Sequence, residues 1–234
     1  MKYIECKQGS QDWLDARSGA VTASRFEDAV SVLKRASGDK KAGDPTSASS
    51  KYAGDIGIER ISKKPYGEPP KAWTLQRGHD LEPYARMGWE TRTGLMAIES
   101  GVAKTDDGWF GYSSDGLVEP IWNGESIIGC EGLIEIKCPI DSEKIIAMFK
   151  TGDVSEYMHQ MQGGMWITGA KWCDFIMYVP ELASVGNDLY VKRIPRDEEF
   201  IATLERDLME FRTHVLMTES LFRRPISTQQ KEIA

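Results

Sequence analysis

Apolar residues near the end of the chain recur at three- and four-residue steps: Phe200, Leu204, Leu208, Phe211 and Val215. That spacing predicts a helix laying one apolar stripe on a core. Near the start, Phe26, Val30 and Leu33 share a similar face. They follow Ser24-Arg25-Phe26-Glu27, a Ser-x-x-Glu capping box that predicts a helix start at Ser24. A second helix is predicted over 52–63, ending before Pro65, and a third over 75–92 from Leu75, Leu81, Ala85 and Trp89. Gly94 would stop the third helix, and Pro83 is expected to bend it beside Glu82. Residues 36–50, rich in Ser, Gly, Ala and Lys, read as a mobile loop.

From residue 102 to 138 the pattern changes to strands and turns, with Trp109-Phe110-Gly111-Tyr112, a turn at Asp115-Gly116, and Leu133-Ile134-Glu135-Ile136-Lys137-Cys138. Helices are then predicted over 143–150 and 155–168, and strands over 172–179 and 189–194. This order implies one α/β domain, a central mixed β-sheet flanked by helices. It divides into a helical part of about 1–95, a sheet core of about 100–195 and a closing helix of about 196–223.

Composition narrows the picture little. At 234 residues, 41% hydrophobic, the chain is long enough for a full core, and no apolar run suits a membrane span, so a cytoplasmic protein is expected. The cysteines Cys6, Cys130, Cys138 and Cys173 form no C-x-x-C pair and read as reduced thiols. His79, His159 and His214 are too scattered for a ligand set. A net charge of −7 excludes coating nucleic acid by bulk charge. It permits a carboxylate-lined site with a local basic lining, for which Arg25, Lys34, Arg35, Lys40, Lys41 and Lys51 are candidates.

The strand ending at Pro139 carries the chemistry. Side chains alternate faces, so Glu131, Leu133, Glu135 and Lys137 share one and Ile134, Ile136 and Cys138 the other, which is read as the core face. A carboxylate and an ammonium side by side, joined by Asp115 from the preceding turn, suit phosphodiester hydrolysis. That reaction needs hard oxygen ligands for Mg²⁺, a held water and stabilisation of charge on phosphorus. An exposed strand pair beside an ordinary hairpin turn would explain the same residues.

Further segments follow in order. Trp13-Leu14-Asp15-Ala16-Arg17-Ser18-Gly19-Ala20-Val21-Thr22-Ala23-Ser24 resembles W-x-x-x-R-x-G-x-x-T-A-S, and Gly78-His79-Asp80-Leu81-Glu82 resembles G-x-x-x-E. Ser113-Ser114-Asp115-Gly116 is similar to S-P-D-G, and residues 133–139 to L-x-E-x-K-C-P. Tyr157-Met158-His159-Gln160-Met161-Gln162-Gly163-Gly164-Met165-Trp166 is similar to Y-x-x-Q-x-Q-x-x-M-W. Together they resemble the lambda-exonuclease-like, YqaJ-type viral recombination exonucleases of the PD-(D/E)XK nuclease superfamily. Ser114 replaces the usual Pro, and 19 residues separate Asp115 from Glu135, more than the pattern expects. Residues 120–131, with Trp122, would form a hairpin tip.

The resemblance implies that Glu82, Asp115, Glu135 and the backbone carbonyl of Ile136 hold Mg²⁺, two ions per site, with Mn²⁺ as a substitute. Lys137 would orient or deprotonate the attacking water, and Gln162 would position that water or the neighbouring phosphate. Arg17, Thr22, Ser24 and Ser113 would gather on a terminal 5′ phosphate, aided by the helix start at Ser24, and Trp13 would stack on a base near the end. Met158, Met161 and Met165 read as core. The implied activity is processive 5′→3′ digestion of double-stranded DNA to mononucleotides, leaving a 3′ tail. A homotrimeric ring and a single-strand annealing protein are the implied partners. The rival readings are an endonuclease or repair nuclease of the same fold and an idle DNA-binding scaffold.

Overall fold

The computed structural model describes residues 1–67 and 72–225, the side chains of 72–75 excepted. Leu75's side chain and residues 226–234 of the expected domain therefore lie outside the described residues. In chain order the first half contains β1 (Lys2–Ile4), α1 (Gln11–Arg17), β2 (Val21–Thr22), α2 (Phe26–Val30), α3 (Ser47–Ser62), α4 (Ala72–Thr93) and β3 (Ala97–Ile98). There follow β4 (Val102–Lys104), β5 (Phe110–Tyr112), β6 (Gly116–Trp122), β7 (Ile127–Lys137), α5 (Ser142–Thr151), α6 (Met158–Thr168), β8 (Trp172–Tyr178), β9 (Leu189–Pro195) and α7 (Glu198–Phe222). No helix among the described residues is long and apolar enough to cross a membrane.

Two sheets form. The mixed sheet has the order β3-β6-β7-β8-β9, with β7 and β8 parallel and the other pairs antiparallel. A smaller sheet, β1-β4-β5-β2, stands beside it. The expected strand region thus divides at residues 113–115, where the chain leaves β5 and enters β6.

Strand β7 corrects the expectation of one core face. Ile134 and Ile136 pack with Ala85 and Trp89 of α4, while Leu133 on the other face packs with Met161 and Met165 of α6. Both faces are therefore covered, as the near-continuous apolar run of a strand with a parallel neighbour requires. The last helix begins at Asp197, whose side chain accepts from Glu199 N and Phe200 N, and it buries Ile201, Leu204, Leu208, Phe211 and Val215. Phe200 is only partly buried but packs against the same core, as its spacing predicts. Tyr52 of α3 stacks on Phe211 at 5.5 Å.

The N-terminal expectations change most. No helix starts at Ser24: a 3-10 turn over Ala23–Arg25 leads into the five-residue α2, and no side chain caps either. Leu33 lies beyond α2 and exchanges backbone hydrogen bonds with Asp44 and Gly43. Part of the expected loop is helix, because Thr46 caps α3 by accepting Ser49 N. Helix α4 runs through Pro83 without interruption. Residues 116–137 form one long hairpin with an irregularity at Ile121/Trp122, so the extra residues before Glu135 lengthen strands already present.

Candidate active site

The hairpin register pairs Gly116 with Ile134, so one step further Asp115 faces Glu135. The turn that aims Asp115 is held by Ser114, buried to 1% exposure. Its hydroxyl donates to Gly116 O at 2.7 Å, lies 3.2 Å from Ile134 O and accepts Gly116 N–H. Ser114 therefore supplies by hydrogen bonding the rigidity a proline would supply by its ring. Gln8 adds a clamp that the sequence did not announce, its amide donating to Ser114 O at 2.7 Å and Ser100 O at 3.1 Å. From α4, Arg86 donates to Asp115 O at 2.8 Å.

Glu135 is 1% exposed and fully engaged. Its Oε1 accepts from Lys137 Nζ at 2.6 Å and from Gln160 Nε2 at 2.5 Å, and its Oε2 accepts from Tyr112 OH at 3.0 Å. Tyr112 reaches it because α6 carries Gly164 where a Cβ would stand 2.6 Å from the tyrosine ring. The Asp115 carboxylate accepts Ile136 N at 2.6 Å.

Burial, then the Glu135 charge, pushes the Asp115 carboxyl well above its ordinary range, with Glu82 adding to the effect. Burial pulls the Lys137 ammonium down, but Glu135 and Asp115 outweigh it and hold its proton more tightly than usual. Lys137 is thus held as a cation, paired with Glu135.

Asp115, Glu135 and Lys137 are thus brought together, whereas Gln162 is not. It is fully buried on the far side of α6, donating to Pro195 O at 2.9 Å and accepting Asp197 N at 3.0 Å. Gln160, two residues earlier, takes the position expected of it, hydrogen-bonded to both Glu135 and Lys137. Its place in the pattern Tyr157-x-x-Gln160-x-Gln162 was visible, but helical phase decides which glutamine faces the strand. Met161 and Met165 are buried core residues and Met158 lies at the core margin, as expected.

Glu82 stands apart, its Oε2 3.7 Å from His79 Nδ1. Among the described residues no three Cys, His, Asp or Glu side chains converge on a single metal position. Two carboxylates and a carbonyl nevertheless suit Mg²⁺, which keeps several waters and commonly takes only one or two protein carboxylates beside substrate phosphate. The mutual repulsion felt at Asp115 is what such a cation would relieve.

A second cluster lies two residues before Asp115 on the same connecting segment. Ser113 Oγ accepts from Trp13 Nε1 at 2.9 Å and from Arg17 at 3.2 Å, while the Arg17 guanidinium lies 4.2 Å over the Trp13 ring. Trp13 thus stacks on Arg17 here, which occupies a face expected to meet a base. Thr22 is buried, its N–H donating to Tyr52 OH at 2.9 Å, and its hydroxyl lies 3.5 Å from that of exposed Ser24. Arg25 stacks 4.0 Å from the Tyr52 ring and pairs with Asp28. All four cysteines are free, Cys130 and Cys173 buried and the others partly so.

Residues 12–171 match the YqaJ-like viral recombinase domain. No curated protein matches the chain. Among solved structures, the chain is similar to an alkaline exonuclease (LHK-Exo) from Laribacter hongkongensis, with 30% identity over 96% of this chain and all of that one and a TM-score of 0.71. The same protein in complex with dAMP superposes with a TM-score of 0.73 at 30% identity, again over 96% of this chain and 100% of that one. A phage-related exonuclease from Haemophilus somnus 129PT shares the fold at 18% identity, with a TM-score of 0.58 over 87% of this chain and 95% of that one. Two carboxylates and a lysine gathered where β7 ends, on a mixed sheet flanked by helices, and a domain match over most of the chain agree: the chain belongs to the YqaJ-like viral recombinase family, nucleases of the PD-(D/E)XK fold.

Proposed function

We propose that this nuclease is a Mg²⁺-dependent 5′→3′ exonuclease acting on double-stranded DNA ends. The observation that carries the reading is the spacing of Ser113 and Asp115. The first is tied to Arg17 and the second faces Glu135, two residues apart along one chain segment. Two extended residues span roughly 6.6 Å, comparable to one nucleotide step of backbone. A terminal phosphate held at Arg17 and Ser113, with Thr22 and Ser24 beside them, would set the next phosphate against the carboxylates.

Asp115, Glu135, the Ile136 carbonyl and Glu82 would hold the metal, with Mn²⁺ able to substitute. It would supply Lewis acidity at the scissile phosphate. Lys137 and Gln160 hold the attacking water in line with the departing 3′ oxygen, and the Lys137 charge offsets charge growing on phosphorus. Water forms the new P–O bond as the P–O3′ bond breaks. A nucleotide with a 3′ hydroxyl leaves, and a fresh 5′ phosphate remains on the shortened strand. Each cut regenerates the group that the Arg17 site binds, which supports processive release of mononucleotides and a growing 3′ tail. Such a tail is the substrate of a single-strand annealing protein, and a ring of three subunits would keep the duplex in place.

The test is digestion of a linear duplex bearing a 5′ phosphate at one end only, with Mg²⁺ or EDTA, beside a closed circle. Magnesium-dependent loss from the phosphorylated end with the circle spared is expected. Cutting of the circle would move the assignment to an endonuclease, and intact DNA throughout would favour a scaffold.

A further inference from the structure

Lys104 has no place in the motifs that identify the family, yet it stands in a row with residues that do. Strand β4 pairs with β5 so that Lys104 opposes Gly111, and β5 pairs with β2 so that Gly111 opposes Thr22. Side chains directly opposite one another share a face, and Ser113 shares it too, two residues beyond Gly111. The other face, with Ala103, Phe110 and Tyr112, is core. Gly111 offers no side chain, and Lys104 leans over it, its Cγ 3.7 Å from where a Cβ would be.

Lys104 makes no hydrogen bond or ion pair among the described residues, unlike Arg25, which is tied to Asp28. Its surroundings are unfavourable for a cation. Burial, followed by the Arg17 charge, lowers its pKa. The carboxylate that acts against this, Glu59, is already engaged by the backbone N–H groups of Gly19 and Tyr66.

We propose that Lys104 is a further ligand of the DNA end, holding the 5′-terminal phosphomonoester together with Arg17 across Gly111. This rests on the end-binding part of the proposed function. A monoester carries close to two negative charges at neutral pH whereas an internal diester carries one, so two cations without carboxylate partners select the end over the interior. The phosphate would also relieve the opposition between Lys104 and Arg17.

The experiment measures binding in EDTA, so that cleavage plays no part, by fluorescence anisotropy with duplexes ending in a 5′ phosphate or a 5′ hydroxyl. The wild type is expected to prefer the phosphate. Lys104→Gln should lose about tenfold of that preference, the size of one charge-assisted hydrogen bond, while Lys104→Arg keeps most of it. Lys104→Gln should melt no lower than the wild type, since it removes a repelled charge. An unchanged preference in Lys104→Gln, or no preference in the wild type, overturns the assignment. Preference lost in Lys104→Gln, alongside a wild type that cuts nothing in Mg²⁺, would uphold this site while removing the exonuclease.

Discussion

Two regions of opposite charge flank one short stretch of chain. At Ser113 the neighbours are Arg17 and Trp13; at Asp115 they are Glu135, Lys137 and, further off, Glu82. The cationic region joins Arg17 and Trp13 of α1 to Lys104 and Thr22, which β4 and β2 set on either side of Gly111. The carboxylate region is built from side chains that satisfy one another, and every oxygen of Glu135 has a partner. The difference teaches that the proposed end binding and cleavage are separable, since the two regions share the segment 113–115 but, among the described residues, no hydrogen bond.

Substitution at the two regions should break that comparison or sharpen it. Lys137→Ala should lower cleavage by roughly 10²–10⁴-fold, the range for a group acting on the reacting water, equally on 5′-phosphate and 5′-hydroxyl ends. Arg17→Ala should slow only the phosphorylated end. Initial rates on both duplexes decide this, and equal slowing by Arg17→Ala would mean that the regions act as one.

Cation binding gives the next largest effect. At 100 times its dissociation constant, Mg²⁺ should stabilise the wild type by about 2.7 kcal/mol, and Asp115→Asn should abolish the shift while Arg17→Ala retains it. In the cation-free protein, Asp115 holds a proton that the unfolded chain releases. The contribution of Asp115 to stability should therefore be fullest below the ordinary aspartate value of 3.8 and be lost as pH rises toward the raised folded value. Asp115→Asn should flatten that part of the profile. Thermal melts with and without Mg²⁺ across pH read both effects.

The two glutamines of α6 give the finest contrast. Gln162→Ala should cost about 1–3 kcal/mol of stability by removing both hydrogen bonds of a fully buried side chain, to Pro195 O and from Asp197 N. Gln160→Ala should leave stability nearly unchanged and lower turnover. Denaturant melts and rates at saturating DNA would overturn the assignment of roles if the pattern were reversed.

Much of this was legible in the chain. The strand carrying Glu135 and Lys137 announced itself by alternation, and the closing helix by its apolar spacing. The ordered segments from Trp13 to Trp166 identified the family, because sterics and chemistry constrain residue types locally. What the chain alone left open depends on contacts distant in sequence. Helical phase against β7 set Gln160 rather than Gln162 beside Glu135, and packing of α6 on the Leu133 face of β7 buried what alternation had marked as an open side. Short-range capping rules misplaced the helix at Ser24, where pairing of β2 with β5 and the Tyr52 hydroxyl claim the backbone first. Lys104 had no local signature, since its meaning lies in a register across three strands that only the folded chain brings together.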